Sequence, residues 1–372
     1  MTVEHFFNVY VEPFEVKHQI FCGGIERATL SENGRIFRGV GRFVDTPPER
    51  PVEAKSVTVP GRYLYAGPVW GHFGHALVDG FHRLWALGEH EGIVFAGVRG
   101  VGRVRTEADL DAWVIPAFVE DIMQAIGIRP TRVMLLRRPE VFERLDVPAP
   151  GAYLNGDIQP FYRPHLVRYQ RAVEGSVEQL TAPKRVYYSR RHLLTRGGIL
   201  GSYSFESALV ANGFTVVRPE ELPIVEQFAY ILKSEQLVFD EGSSIHLTEV
   251  LNEVPPATYM LPRRPRYATF QKALTQRGRF EVLAADANMS LLSNRSGKFA
   301  NRTLTFYQDP QAVFDRMSEL GLVRGAFDEK AYWAAALADL ESCPANYPAL
   351  QQRRMELLRS SAGASLDKEA SK

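Results

Sequence analysis

The stretch from residue 185 to 261 constrains the fold more than any other part of the sequence. Short β-prone runs alternate there with helical patterns at close spacing. Residues 185–189 (RVYYS) predict a strand, followed by a basic loop to Gly201. Residues 205–212 predict a helix stopped by Gly213, and 214–217 a second strand. Residues 223–233 predict a helix with Pro223 in its first turn, and 236–239 a strand. Asp240-Glu241-Gly242 then reads as a turn, 243–251 as a helix and 258–261 as a strand. Such alternation with short connections predicts a parallel sheet in a doubly wound α/β domain. Ligands of such sheets sit outside the carboxyl ends of the strands.

The remainder is less regular. Residues 1–66 read as β-rich, with short runs at 36–37, 56–59 and 63–65. From Phe73 the period turns helical: Phe73, Leu77, Phe81, Leu84 and Leu87 recur at three- and four-residue steps. Residues 93–95 and 132–136 predict buried strands, and 110–126 a helix closed by Gly127. The chain's 372 residues, 45% of them hydrophobic, are enough for about two domains. The expected division is 1–180, 181–300, a helical region 301–358 and a flexible tail 359–372, with 263–266 as a linker.

Charge and composition narrow the function classes. With 44 Lys and Arg against 43 Asp and Glu, the net charge is +1, which argues against a nucleic-acid partner. The two cysteines, Cys22 and Cys343, are far apart and match no zinc spacing. The opening residues carry Glu4, Glu12 and Glu15 where a secretory signal would be basic and then apolar. No run of about 18 uncharged apolar residues occurs. A cytoplasmic location is expected, with peripheral membrane contact left open; oligomeric state is not legible.

Three constellations could carry chemistry. In GHFGHALVDGFHRLW, a helix places His72, His75, Asp79 and His82 on one face, with Arg83 beside them. An imidazole–carboxylate pair, with His75 or Asp79 as proton acceptor, is one reading. Metal ligation is a second, and histidines packed in a polar seam a third. Residues 184–196 hold five Lys and Arg and no acid just beyond a strand, which suits a diphosphate through Arg190 and Arg191. In Asp240-Glu241-Gly242-Ser243-Ser244-Ile245-His246, Gly242 permits close backbone approach. Ser243 and Ser244 would open a helix able to receive phosphate, and Glu241 would hold a ribose diol. An ordinary N-cap is the plain alternative. Glu221, at a helix start, could face the same site or simply complement the helix dipole.

Four blocks in order, HFGHALVDGFHRLWAL, RVYYSRR, NGF-x-VV-x-PEEL-x-x-x-EQ and VFDEGSSIHLTEVL, resemble family 61 glycosyltransferases. The nearer likeness is to the bacterial branch associated with capsular polysaccharide biosynthesis. It covers about residues 60–262. The resemblance implies an α/β, GT-B-like fold of two Rossmann-like domains facing across a cleft. It implies an inverting, metal-independent transferase that takes a nucleotide-sugar donor and no cofactor. The C-terminal domain would bind the donor, and the N-terminal domain a glycan or glycolipid acceptor. One departure stands out: Ser202 occupies a position where the family often has glutamate.

The expected function is therefore transfer of a sugar to a bacterial surface or extracellular polysaccharide. His75 and Asp79 would be catalytic. Arg190, Arg191, Glu241, Gly242, Ser243 and Ser244 would bind the donor, with His72, His82, Arg83 and Glu221 on the acceptor side or in support. Two rivals stand beside it: a non-catalytic nucleotide-sugar or glycan-binding protein, and a metal-dependent hydrolase built on His72, His75, Asp79 and His82.

Overall fold

The computed structural model describes residues 3–17, 20–27, 58–69, 71–153, 156–255, 257–265, 268–285, 288–299 and 302–370. The strand expected at 36–37 lies outside them. The chain is α/β and forms two compact units: Met1–Gln179 with Ser243–Glu253, and Leu180–Gly242 with Val254–Lys372.

The first unit is built on β1 (Val3–Lys17), β2 (Ile20–Arg27), β3 (Thr58–Val69), α1 (Phe73–Gly80), β4 (Gly92–Arg99), α2 (Glu107–Ala112), α3 (Ala117–Ala125), β5 (Val133–Leu136), β6 (Glu140–Pro148) and α4 (Arg163–Ser176). Its six-stranded sheet has the order β2-β1-β6-β3-β4-β5. The strands β6, β3, β4 and β5 run parallel, while β1 is antiparallel to both β2 and β6. The sheet is thus mixed. The irregularity in β1 between Glu12 and Glu15 falls at Pro13, which has no N–H for a ladder. The last seven residues of β3 and all of β4 but Arg99 are buried, as expected of parallel strands covered on both faces.

One carboxylate ties much of this unit together. Asp146 on β6 accepts from His5 Nδ1 on β1 at 2.7 Å and from Arg62 Nε on β3 at 2.7 Å. It also accepts from Arg144 Nε at 3.2 Å and from His90 Nε2, just before β4, at 3.1 Å. The side chain is 1% exposed. Burial alone would raise its pKa, but the hydrogen bonds from His5, Arg62 and Arg144 prevail and hold it at about 2.

The second unit contains β7 (Arg185–Tyr188), α5 (Ser202–Ala211), β8 (Thr215–Val217), α6 (Ile224–Lys233), β9 (Gln236–Asp240), β10 (Thr258–Leu261), α7 (Ala268–Thr275) and β11 (Phe280–Val282). All five strands are parallel, in the order β8-β7-β9-β10-β11. By sequence that order is 2-1-3-4-5, a doubly wound topology. Gly213 ends α5 at φ 83°, a left-handed stop of the kind its sequence position suggests. A hairpin of β12 (Met289–Leu292) and β13 (Leu304–Tyr307) follows, then α8 (Pro310–Glu319), α9 (Glu329–Ser342) and α10 (Pro348–Ala370).

Several expectations are corrected. The single helix expected over 110–126 is two, because Pro116 forces an extended approach and starts α3. Residues 301–358 are not a separate region: Phe306, Phe314, Met317, Tyr332 and Trp333 join one apolar core with Phe205 and Val238. Residues 359–370 continue α10 instead of forming a flexible tail, with Leu358 and Ala362 buried in the same core. Residues 243–253 belong to the first unit although they lie between two strands of the second.

Candidate functional site

In the second unit the strand order reverses between β7 and β9, so their carboxyl ends flank a topological switch point. Ser189, Arg190 and Arg191 leave β7 there, and Asp240 ends β9, followed by Glu241 and Gly242. Tyr187 Oη and the Arg190 backbone N–H both donate to Asp240, each at 2.7 Å. Burial nevertheless pushes the Asp240 carboxyl up to about 6, against those hydrogen bonds.

The Arg190 side chain crosses Gly242. A Cβ on that glycine would lie 2.5 Å from Arg190 Cδ. Gly242 therefore gives room to an arginine of its own unit, where the sequence suggested room for phosphate. Arg190 Nε is buried and makes no hydrogen bond among the described residues, while burial lowers the guanidinium pKa. A buried donor left unmatched costs about 1–3 kcal/mol, so this arrangement favours an anionic acceptor. Gly242→Ala is expected to displace Arg190 and to cost about 1–3 kcal/mol. In an Arg190→Ala background the same change should cost much less. Equal losses in both backgrounds, measured by denaturant unfolding, would refute the contact.

Glu241 has protein partners within its own unit. It is fully buried, and its carboxylate accepts from the Arg263 backbone N–H at 2.8 Å and from Arg264 Nε at 2.6 Å. Both oxygens are engaged by protein, and the carboxylate orients the segment that carries Arg263 and Arg264. Those arginines follow β10 and were read from sequence as a linker. Burial brings the Arg263 pKa down to about 10. Glu206 on α5 accepts from Ser189 Oγ at 2.6 Å and pairs with Arg191 at 3.5 Å. The Arg191 guanidinium also stacks 4.4 Å from the Tyr203 ring centroid. Glu221 is exposed, pairs with Arg218 at 3.2 Å, and joins no cluster among the described residues.

In the first unit, α1 and the 3-10 turn that continues it (Phe81–Ala86) carry the histidine cluster. His75 Nδ1 stands 3.8 Å from Asp79 Oδ2, a charge contact longer than a hydrogen bond. His75 is partly exposed and Asp79 is buried. The exposed His72 ring lies 4.6 Å from that of His75. Arg83 is buried and donates to the Pro148 carbonyl at 3.3 Å, so it supports the fold beneath the turn.

Two residues that the sequence reading left unassigned complete this cluster. Ser243 and Ser244 open a 3-10 segment (Ser243–Val250) and not an α-helix. That segment belongs to the first unit, whereas Gly242 belongs to the second. His246, within it, packs against Gly74: a Cβ there would lie 2.3 Å from His246 Cδ2. A glycine inside a helix costs roughly 0.5–1 kcal/mol relative to alanine, and here its bareness admits an imidazole. Glu249 lies 3.3 Å from His246 Nδ1 and 3.7 Å from His82 Nε2. His82 Nδ1 is 3.3 Å from Tyr162 Oη.

No protein-family model and no curated protein matches the chain. The functional reading therefore rests on the geometry above and on the motifs themselves. Among the described residues, no group of three or more His, Cys, Asp and Glu side chains is arranged to hold a metal ion. Nor is any helix among them long and apolar enough to cross a membrane.

Proposed function

We propose that the chain is an inverting glycosyltransferase of GT-B type that moves a sugar from a nucleotide-sugar donor to a glycan or glycolipid of a bacterial surface or extracellular polysaccharide. The observation that carries the reading is Arg190. It leaves the strand at the switch point of a doubly wound sheet, and its buried Nε has no hydrogen-bond partner among the described residues. Guanidinium groups in such a place suit a diphosphate leaving group, whose charge they neutralise as it departs. Arg264, oriented by Glu241, adds a second cation to the same unit. The proposal assigns the proton acceptor to His75 and Asp79 in the first unit. It places the reaction on the cytoplasmic side and requires no cofactor.

Ser202 does not leave α5 without an acid, because Glu206 on the same helix holds both Ser189 and Arg191. That favours a working donor site over a purely structural one. The test is a thermal-shift screen against UDP, GDP, CMP and their sugars, since a ligand of the folded state raises its stability. Arg190→Ala is expected to weaken nucleoside diphosphate binding about tenfold or more and to leave nucleoside binding nearly unchanged. Arg191→Ala should cost less, because Glu206 already shares that guanidinium. Parental diphosphate affinity in a folded Arg190→Ala protein would remove Arg190 from the site. Binding without any donor hydrolysis would favour a non-catalytic binder.

A further inference from the structure

The first unit clamps two buried carboxylates in different ways. Asp146 is held by two arginines as well as two histidines, so permanent cations fix its charge. Glu249, only 6% exposed, is flanked by the imidazoles of His82 and His246.

The hydrogen bond to Glu249 assigns the protonation of the His246 ring. A carboxylate only accepts, so the nitrogen facing it carries the hydrogen. His246 therefore presents Nδ1–H to Glu249 Oε1 at 3.3 Å. His82 Nε2 stands 3.7 Å from Glu249 Oε2, a charge contact longer than a hydrogen bond, and its Nδ1 shares a 3.3 Å hydrogen bond with the Tyr162 hydroxyl. The ring of His82 also stands edge-on to that of Tyr162, 5.5 Å between centroids. Four buried polar side chains thus lie in line: Tyr162 and His82 share one hydrogen bond, Glu249 and His246 another, and a 3.7 Å charge contact joins the two pairs. His82 lies one turn beyond Asp79, and His246 packs on Gly74, next to His75. The chain of buried groups therefore meets the segment carrying His75 and Asp79 at two points.

We propose that Glu249 is a positioning residue: it sets the tautomer of His246 and so builds an oriented imidazole into the acceptor-side chemistry. This inference rests on the transferase reading for its catalytic consequence, but not for its structural content. With Nδ1–H held by Glu249, His246 keeps Nε2 as its proton-accepting nitrogen.

The full-length chain, labelled with 15N-histidine, supplies the test through its long-range imidazole spectra, assigned with His82→Gln and His246→Gln. The parent should show His246 as the Nδ1–H tautomer. Glu249→Gln should mix or invert that tautomer, and Glu249→Asp should restore part of the parental pattern. In a donor-hydrolysis assay, Glu249→Gln should lower kcat about tenfold or more with KM for the donor unchanged, as when a base loses its orienting carboxylate. A parental His246 tautomer in folded Glu249→Gln protein would overturn the assignment. A shifted tautomer with parental kcat would overturn the catalytic consequence. A parent that turns over no nucleotide sugar would sink the transferase reading instead, and the spectra would still decide the role of Glu249.

Discussion

Asp146→Asn is expected to cost about 3–5 kcal/mol of folding stability, the range for breaking a buried ion pair. The substitution conserves volume but removes the charge on which His5, Arg62, Arg144 and His90 converge. Two guanidiniums would then lie half-buried without a counter-charge, and β1, β3 and β6 would lose their shared anchor. The direction of the pH effect follows from the pKa. The folded carboxyl ionises at about 2, below its ordinary 3.8. Its contribution is thus fully present above pH 4 or so and is lost as pH falls toward 2. The difference corresponds to about 2 kcal/mol. His90 does not reverse the sign, because burial, with help from the Arg62 charge, lowers its pKa and keeps it from gaining a proton early. Denaturant unfolding of parent and Asp146→Asn between about pH 2 and 7 provides the check. The stability gap should narrow by about 2 kcal/mol as the pH falls through that window. A gap that is small at neutral pH, or that does not change with acid, would show that the network is solvated and contributes little.

Much of the second unit was legible in the sequence. The strands β7, β8, β9 and β10 and the helices α5 and α6 fall within a residue or a few of their expected places, because Gly213 and Pro223 punctuate them. The basic run after β7 was visible for the same reason: charge is written locally. What was missed is non-local. Arg263 and Arg264 read as a linker because nothing nearby shows that Glu241, on another strand's end, engages them. Gly242 read as a ligand contact because its neighbour in space, Arg190, is about fifty residues away. In the first unit, β6 escaped notice. Its alternation of Arg144 and Asp146 with Leu145 and Val147 looks polar until β1 and β3 supply the partners. The role of 243–253 in that unit was hidden too. Its one signal was the bare Gly74 inside a helical run, which only a close neighbour such as His246 explains.

His75→Ala and Asp79→Asn are each expected to cut turnover about a hundredfold or more while leaving donor affinity nearly intact. General-base catalysis contributes 10²–10⁴, about 3–5 kcal/mol of barrier, and inversion needs a group to take the acceptor hydroxyl proton. His75 is the partly exposed member of the pair and Asp79 the buried one, so the imidazole can meet substrate while the carboxylate orients it. Their separation of 3.8 Å is looser than a hydrogen bond. Catalytic contacts often tighten only when substrate binds, so this length is compatible with the role. The arginines proposed to bind the donor diphosphate belong to the other unit, which is why donor affinity should survive both substitutions. A structural role predicts a different pattern. Asp79 is 2% exposed, and losing a buried carboxylate could lower the melting temperature, with residual activity following the folded fraction. Measuring turnover and melting temperature on the same samples separates the two. A folded double variant that turns over donor at the parental rate would exclude the pair as proton acceptor and leave His246, held by Glu249, as the imidazole to test next.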